Sequence, residues 1–313
     1  MDWYYILLII LGVILLSFFI TCYVSYRITF YSGKKKEITD EIKIPNISFY
    51  TKYKDIIIRD IKDVRTYEYT KMSIKSFDGL TLTGKYYENI KGAPIEIMFH
   101  GYRGSAELDL STGVKRAFAC KHNVLLINQR GSIGSEGHVT TFGINESKDC
   151  VSWVNHIVKT FGEDVKIFIG GVSMGAATVL MAASMDLPKN VKAVVADCGF
   201  DEPGTIIKKV MKEMKLPIKI FYPIVKLSAK IFGKFNLEEF SPYESVKKAK
   251  LPIIFIHGDE DGLVPYEMSV KMYEACVSDK HLLIIKGADH GVSYLVEPEK
   301  YVNELTEFTN KYI

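Results

Sequence analysis

The sequence predicts an α/β fold with a mostly parallel central sheet flanked by helices, and two patterns carry this prediction. Short apolar runs alternate with segments of helical period, as in strand–helix–strand units. The runs are almost continuously apolar, as expected of strands buried on both faces of a parallel sheet. They lie at 95–99, 124–128, 166–170, 192–196, 252–256 and 282–286. Helical period is clearest over 146–161 and 176–185, between successive runs.

The segment before this alternation has a different pattern. The stretch YTKMSIKSFDGLTLTGKYYE alternates apolar and polar residues around Asp78-Gly79, which predicts a β-hairpin. Residues 32–63 are polar and charged without a clear period, and we interpret them as a juxtamembrane connector with one short helix. Residues 64–313 then form the main domain, within a chain of 313 residues that can bury a deep core.

The amino-terminal segment predicts a transmembrane helix. From Trp3 to Tyr26 the chain carries no charge, and its middle reads ILLIILGVILLSFFI, which is long enough to span a bilayer. Aromatic residues at both ends resemble interfacial belts: Trp3, Tyr4, Tyr5, Tyr23 and Tyr26. A cleaved signal peptide is the alternative, but the head carries Asp2 and no basic residue. We therefore expect an uncleaved anchor over residues 1–31.

The charges that flank this helix predict its orientation. Only Asp2 precedes the apolar run, whereas basic residues follow it: Arg27, Lys34, Lys35 and Lys36. The positive-inside tendency then places the rest of the chain in the cytoplasm. Five scattered cysteines without a CxxC pair agree with a reducing compartment and are expected to be buried structural residues: Cys22, Cys120, Cys150, Cys198 and Cys276.

Composition excludes one class of partner. The net charge is only +3, and no basic block is interleaved with aromatic residues, so we expect no nucleic-acid partner.

One connection between apolar runs is too long for a single helix. Residues 199–246 predict two or three helices inserted as a lid over the carboxyl ends of the strands, where ligands bind in open α/β sheets. Lysines recur among its apolar residues: Lys208, Lys209, Lys212, Lys215, Lys219, Lys226, Lys230 and Lys234. Two interpretations stay open, a solvated helix face and a lid that rests on an anionic membrane surface.

A glycine-flanked serine marks the strongest candidate for chemistry. Gly171-Val172-Ser173-Met174-Gly175 fits G-x-S-x-G between a predicted strand and a predicted helix, which is the context that this short pattern requires. A serine in such a strained turn needs neighbours without bulky side chains. The free N–H groups of the following helix then point at the reaction centre. Ser173 is therefore the candidate nucleophile.

A nucleophilic serine needs a base, and the base needs an orienting acid. The segments IFIHGDEDGLVP and IIKGADHGVSY follow the last two apolar runs and contain both residue types. His290 is the candidate base, whereas the acid stays open among several carboxylates: Asp197, Asp259, Glu260, Asp261 and Asp289. His100 and His257 each precede a glycine and are not favoured as the base. The remaining histidines are interpreted as packing or surface residues: His122, His138, His156 and His281.

Five ordered motifs from about Lys71 to the end resemble the α/β-hydrolase superfamily: HGYRG, NQRGSIGSEG, GGVSMG, HGDEDGLVP and GADHG. They are most similar to its bacterial branch of serine aminopeptidase-like or esterase-like hydrolases. The resemblance implies the chain order serine, acid, histidine, and it implies that the aspartate of D-x-x-V-P, here Asp261, is the acid. Asn128 replaces the usual aspartate at the start of the second motif, in a loop that we interpret as structural.

The same resemblance implies an oxyanion hole made of two backbone amides. One is the N–H of Met174, the residue after the nucleophile, and the other is the N–H of Tyr102 in HGYRG. The expected activity is that of a serine hydrolase acting on a small acyl ester, thioester or peptide, without metal or cofactor. One alternative is a peptidase for short peptides, with Asp201 or Glu202 binding the peptide amino terminus. Another is a non-catalytic, membrane-tethered scaffold.

Overall fold

The computed structural model describes residues 3–33, 41–42, 44 and 48–313 of the chain. Within these residues, eight strands form one sheet. The strands are β1 (Thr70–Lys75), β2 (Thr81–Tyr87), β3 (Ile95–Phe99), β4 (Asn123–Asn128), β5 (Ile167–Val172), β6 (Val191–Asp197), β7 (Ile253–Gly258) and β8 (Lys280–Ile285). The order across the sheet is β1-β2-β4-β3-β5-β6-β7-β8.

Strand directions confirm the predicted, mostly parallel sheet. β3 to β8 are parallel to one another, whereas β2 runs antiparallel to both β1 and β4. β1 and β2 are the predicted hairpin around Asp78-Gly79. Every residue of β3 and β7 is buried, which agrees with their nearly continuous apolar sequence. All six predicted parallel strands are present, with ends shifted by at most two residues.

Helices cover both faces of the sheet. The helices of the described residues are α1 (Trp3–Thr29), α2 (Ser48–Lys52), α3 (Lys54–Arg65), α4 (Ala106–Ala119), α5 (Ile144–Phe161), α6 (Met174–Ala182), α7 (Pro203–Glu213), α8 (Ile218–Ser228), α9 (Pro242–Val246), α10 (Glu267–Ala275), α11 (Ser293–Val296) and α12 (Pro298–Asn310). On one face Trp153 of α5 and Leu180 of α6 are fully buried in the largest core cluster. On the other face Val114 of α4 and Leu305 of α12 are fully buried.

The predicted lid corresponds to α7, α8, a π-helical turn over Ala229–Gly233, and α9. α7 and α8 bury Ile206, Met211 and Val225 in a second core cluster, which also includes Met174 of α6. The connector also has structure of its own. α3 packs on α4, where Val64 joins Leu110 and Val114 in a core cluster, so the predicted domain boundary at residue 64 lies inside a helix.

Among the described residues, α1 is the one helix long and apolar enough to cross a membrane, a property that it shares with signal sequences. Every residue from Trp3 to Thr21 is exposed. The last turns instead pack on the protein: Tyr26 is buried, and the ring of Tyr23 meets that of Phe232 at a centroid distance of 5.3 Å. Lys34, Lys35 and Lys36, on which the predicted orientation partly depends, lie outside the described residues.

Candidate active site

Ser173 lies in a sharp turn between β5 and α6, with the unusual backbone angles φ 58° and ψ −118°. The turn is possible because the flanking glycines allow close backbone contacts. A Cβ on Gly171 would overlap the backbone of Gly175, and a Cβ on Gly175 would overlap the carbonyl of Phe99 at the end of β3. The glycines at positions 171 and 175 are therefore needed because a larger side chain at either position would collide with the backbone around this serine.

The structure brings three of the predicted side chains into one hydrogen-bonded chain. Ser173 Oγ lies 2.9 Å from His290 Nε2, and His290 Nδ1 lies 2.7 Å from Asp261 Oδ2. A carboxylate only accepts hydrogen bonds, so Nδ1–H donates to Asp261 and Nε2 is left to accept from the serine hydroxyl. Asp261 follows β7 and His290 follows β8, at the same edge of the sheet as Ser173.

The other candidate acids have different partners. Asp259 accepts a hydrogen bond from the backbone of Gly287 at 2.6 Å. Asp289 accepts from the backbone N–H groups of Gly262 and of His290 itself. Asp197 accepts from the hydroxyl of Tyr301 at 2.9 Å, and burial raises its pKa. Of the carboxylates weighed from the sequence, Asp261 is the one whose hydrogen bond to the His290 ring the structure records.

Asp261 is held as a carboxylate. Burial by itself favours the neutral acid, but hydrogen bonds from His257 and His290 hold the pKa of Asp261 well below its usual range. The backbone N–H groups of Leu263 and Val264 donate to Oδ1 at 2.9 and 2.7 Å. A charged carboxylate is what an orienting acid must be, because it stabilises the imidazolium that forms on the base.

His257 is a second histidine on this acid, a role that the sequence did not suggest. It is fully buried, and its Nε2 lies 3.0 Å from Asp261 Oδ2 and 2.9 Å from the carbonyl oxygen of Val264. Both partners are acceptors, so Nε2 carries the proton, and Nδ1 accepts from Ser269 Oγ at 2.7 Å. Asp261 Oδ2 therefore accepts hydrogen bonds from two histidines, His257 and His290.

The loop after β3 carries the predicted amide of Tyr102, and several buried groups fix its path. Gly101 N–H donates to Asp109 Oδ2 of α4 at 3.0 Å, and Gln129 binds both the backbone and the ring of His100. A Cβ on Gly101 would lie only 3.6 Å from Ser173 Cβ. The loop thus passes beside the nucleophile candidate. Met174 begins α6, so its N–H has no acceptor within the helix.

The same loop is attached to the end of α1. Tyr102 donates its hydroxyl proton to the carbonyl oxygen of Thr29 at 2.7 Å. The guanidinium of Arg103 donates to the carbonyl oxygens of Ile28 and Tyr31, at 2.7 and 2.8 Å. Carbonyl groups at a helix carboxyl end lack partners within the helix and carry partial negative charge, which an arginine compensates.

A largely apolar cavity of about 560 Å³ lies above Ser173 and Met174. Apolar side chains of both lid helices line it, together with residues of α1. The α1 residues are Thr21, Val24, Ser25, Ile28 and Thr29. Such a cavity suits an apolar group attached to the bond that is cleaved.

Two acids that were candidates for binding a peptide amino terminus lie elsewhere. Asp201 is buried and paired with Lys271 at 2.6 Å. Glu202 precedes the first residue of α7. Among the described residues, neither lines the cavity above Ser173.

One group of side chains has the proximity that a metal site requires. Ligand atoms of Cys198, Asp261 and His290 lie within 4.8 Å of one another. Burial raises the pKa of the Cys198 thiol well above its usual range, which disfavours the thiolate that a metal needs. Asp261 and His290 are already hydrogen bonded to each other, and this pairing accounts for the cluster.

Side chains of the NQRGSIGSEG loop, which we interpret from its sequence as structural, contact other parts of the fold. Arg130 forms ion pairs with Asp149 at 2.7 Å and with Asp78 of the hairpin turn at 2.9 Å. The side chain of Asn128, which replaces the usual aspartate, contacts Thr83 at 3.3 Å.

Comparisons with known proteins agree with this fold. Residues 123–313 match the prolyl oligopeptidase family. The uncharacterized protein YqkD of Bacillus subtilis (strain 168) is 29% identical over 189 residues, which are 59% of this chain and 61% of YqkD. The match therefore spans less than two thirds of that relative's length.

Solved structures extend the likeness over most of the chain. The esterase Pf2001 of Pyrococcus furiosus superposes with a TM-score of 0.64 and 23% identity, covering 89% of this chain and 99% of that one. The acylaminoacyl peptidase of Pyrococcus horikoshii superposes with a TM-score of 0.56 and 21% identity, covering 83% of this chain and 43% of that one. At these identities the likeness shows the fold. Because the family match covers more than half of the chain, the protein belongs to the prolyl oligopeptidase family, and its sheet and helices have the α/β-hydrolase fold.

Proposed function

We propose that the protein is a membrane-anchored serine hydrolase that cleaves an ester or thioester through Ser173, His290 and Asp261. The observation that carries this proposal is the continuous chain of hydrogen bonds from Ser173 Oγ through His290 to Asp261, at 2.9 and 2.7 Å. A serine, a neutral histidine and a buried carboxylate in this order form the arrangement that activates a hydroxyl for attack on a carbonyl.

In the proposed reaction, His290 Nε2 removes the hydroxyl proton as Ser173 Oγ attacks the carbonyl carbon. The N–H groups of Met174 and Tyr102 stabilise the oxyanion of the tetrahedral intermediate. The intermediate then expels an alcohol or thiol, which receives the proton from His290, and leaves an acyl-enzyme. Water attacks this acyl-enzyme with His290 again as the base, and the acid is released.

The membrane part of the proposal rests on α1. It is 27 residues long, and its exposed residues from Trp3 to Thr21 are almost all apolar. We propose residues 1–31 as the anchor, 32–63 as the connector and 64–313 as the catalytic domain. The basic residues that follow the anchor favour a cytoplasmic catalytic domain.

The first test is covalent labelling by a fluorophosphonate probe, which reacts only with an activated serine. Wild type should be labelled, and Ser173→Ala should abolish the labelling. Ser184→Ala is a matched control, because this hydroxyl, near the carboxyl end of α6, donates to the carbonyl of Met181 and should leave labelling intact. Labelling of Ser173→Ala equal to wild type would contradict the assignment, and an unlabelled wild type would favour the non-catalytic scaffold.

The second test separates the acid and the bond type. Asp261→Asn should lower kcat by on the order of 10³- to 10⁴-fold with little change in KM, because the amide favours the wrong tautomer of His290. Wild type should hydrolyse p-nitrophenyl esters faster than aminoacyl amides. The reverse preference would favour the peptidase alternative.

A further inference from the structure

The membrane helix forms one wall of the cavity above Ser173. Its cavity-lining residues recur at positions 21, 24, 25, 28 and 29, which is the spacing of one helix face. Lid helices α7 and α8 supply much of the rest of the lining, including Ile207, Val210 and Phe221. Val24 and Ile28 line the cavity and yet remain 46% and 61% exposed, so the cavity is open along α1.

The open side lies at the level of a membrane interface. About 20 residues of helix cross the hydrocarbon core of a bilayer. Counted from the aromatic residues Trp3–Tyr5, this length brings the second interface to about Tyr23, whose ring contacts Phe232 of the lid. Thr21 and Val24, at one end of the cavity wall, therefore lie at the boundary between acyl chains and headgroups.

The lid surface near α1 has the composition of an interfacial helix pair. Large apolar side chains are exposed on it: Met214 at 59%, Ile220 at 61% and Ile231 at 45%. Exposed lysines are interleaved with them: Lys212, Lys215, Lys219, Lys230 and Lys234. Apolar side chains that insert at the headgroup boundary, beside lysines that reach lipid phosphates, are typical of surfaces that rest on a bilayer.

Together these observations indicate the chemical class of the substrate. We propose that the protein hydrolyses a long-chain fatty acyl ester dissolved in the bilayer, whose acyl chain enters the cavity sideways along α1 and lies between α1 and the lid. This inference rests on the proposed function, because Ser173 must attack the carbonyl at the inner end of the cavity. The Ser173 Oγ–C bond forms as the ester C–O bond breaks, the alcohol leaves with the proton from His290, and water releases the fatty acid.

The test uses the full chain in phosphatidylcholine vesicles and a series of p-nitrophenyl esters from acetate to palmitate. The ratio kcat/KM should rise with chain length by up to about fourfold per methylene, which is the factor that 0.8 kcal/mol per buried CH₂ gives, until the cavity is filled. A rate that stays flat or falls beyond butyrate would overturn the inference.

Variants of α1 make the test specific. Ile28→Trp and, independently, Val24→Trp should narrow the cavity and lower the palmitate-to-acetate ratio of kcat/KM at least tenfold. Leu15→Trp is the matched control, because Leu15 is equally exposed on α1 but does not line the cavity, and its ratio should equal that of wild type. Equal ratios in Ile28→Trp, Val24→Trp and wild type would contradict a substrate path along α1.

A final comparison tests the source of the substrate. Palmitoyl glycerol dissolved in the vesicles should be hydrolysed, and Ile28→Trp should slow this reaction. Hydrolysis of water-soluble palmitoyl-coenzyme A alone would overturn entry from the bilayer. Failure of the proposed function is recognised separately, because it would abolish both probe labelling and acetate hydrolysis. Failure of the inference alone would change the dependence on chain length and leave labelling and acetate hydrolysis intact.

Discussion

The guanidinium of Arg103 donates a hydrogen bond of 2.7 Å to the carbonyl oxygen of Ile28, in the last turn of α1. It makes further hydrogen bonds to the carbonyl oxygens of Tyr31 and Arg27, at 2.8 and 3.3 Å. Arg103 directly follows Tyr102, whose amide is the proposed oxyanion donor. One side chain therefore connects the carboxyl end of the candidate membrane helix to the loop beside Ser173.

Replacing Arg103 should impair the chemical step more than substrate binding. In Arg103→Ala the loop loses its attachment to α1, and a displaced Tyr102 amide should lower kcat by about tenfold, less than the roughly 10²- to 10³-fold effect of removing an oxyanion donor. Steady-state kinetics with p-nitrophenyl acetate separates kcat from KM. Arg103→Lys should recover part of the loss, because one donor remains.

Arg59→Ala is the matched control for this prediction. Its side chain on α3 is 62% exposed, so kcat should equal that of wild type. A normal kcat in Arg103→Ala would show that the attachment to α1 does not position the oxyanion donor.

His257 should act as a positioning residue behind Asp261. His257→Phe removes a hydrogen bond donor from the carboxylate, and we expect kcat/KM to fall about tenfold. The acidic limb of the pH–rate profile should move to higher pH, because a less stabilised carboxylate makes the Asp261–His290 pair bind its proton more tightly. His257→Gln keeps a donor and should restore much of the activity. An unshifted pH profile in His257→Phe would contradict a positioning role and show that His257 only packs in the core.

A methyl group at Gly175 should disrupt the turn at Ser173. Its Cβ would overlap the carbonyl of Phe99, which is backbone and cannot rotate away. Gly175→Ala should therefore cost roughly 1–3 kcal/mol of folding free energy and at least a tenfold loss of kcat. Chemical denaturation and esterase kinetics measure the two effects. Gly12→Ala in α1, where nothing lies within 4 Å, should preserve both, and equal behaviour of the two variants would refute the steric argument.

The buried pair of Glu96 and Arg116 should make stability depend on acidic pH. Arg116 donates two hydrogen bonds of 2.6 Å to the Glu96 carboxylate. Burial opposes the charge of Glu96, but Arg116 and His122 outweigh it and lower the pKa of Glu96 from 4.5 to about 2. A depressed pKa in the folded state means that the ionised carboxylate stabilises the fold above pH 4.5 and loses this effect as the pH falls towards 2.

Glu96→Gln tests this dependence. At neutral pH it should reduce the free energy of unfolding by roughly 3–5 kcal/mol, because Arg116 is left buried without its ionic partner. Between pH 4.5 and 2 its stability should also fall less steeply than that of wild type. Urea titrations across this range provide the measurement. Glu163→Gln, on an exposed loop residue, should follow the wild-type curve; parallel curves for Glu96→Gln would contradict the prediction.

Much of the fold could be predicted because its signals are local. Continuous apolar runs marked the six parallel strands, and G-x-S-x-G marked the turn of Ser173 between β5 and α6. His290 followed from its place after the last run, and the choice of Asp261 depended on a family resemblance. The side-chain geometry agrees with both assignments, while their catalytic roles stay proposals.

Other parts of the site depend on contacts between residues far apart in the chain, which no local sequence pattern predicts. Asp109 holds the backbone of Gly101, and its only trace in the sequence is an acid on the buried stripe of α4, between Ala106 and Leu110. The cavity wall on α1 has a similar trace, because Thr21, Ser25 and Thr29 recur every four residues in a mostly apolar helix. Neither sequence feature indicates which part of the protein the residue contacts.

The sequence by itself determined the alternation of strands and helices along the chain, the strained serine turn and an apolar helix long enough for a membrane. These properties follow from residue type and spacing within short segments, where hydrophobic periodicity and glycine's backbone freedom act directly. Only the tertiary structure decided that His257 donates to Asp261, that Arg103 binds the end of α1, and that α1 lines the cavity of Ser173. Those contacts join residues far apart in the chain or on separate elements, and their distances depend on how the elements pack around the sheet.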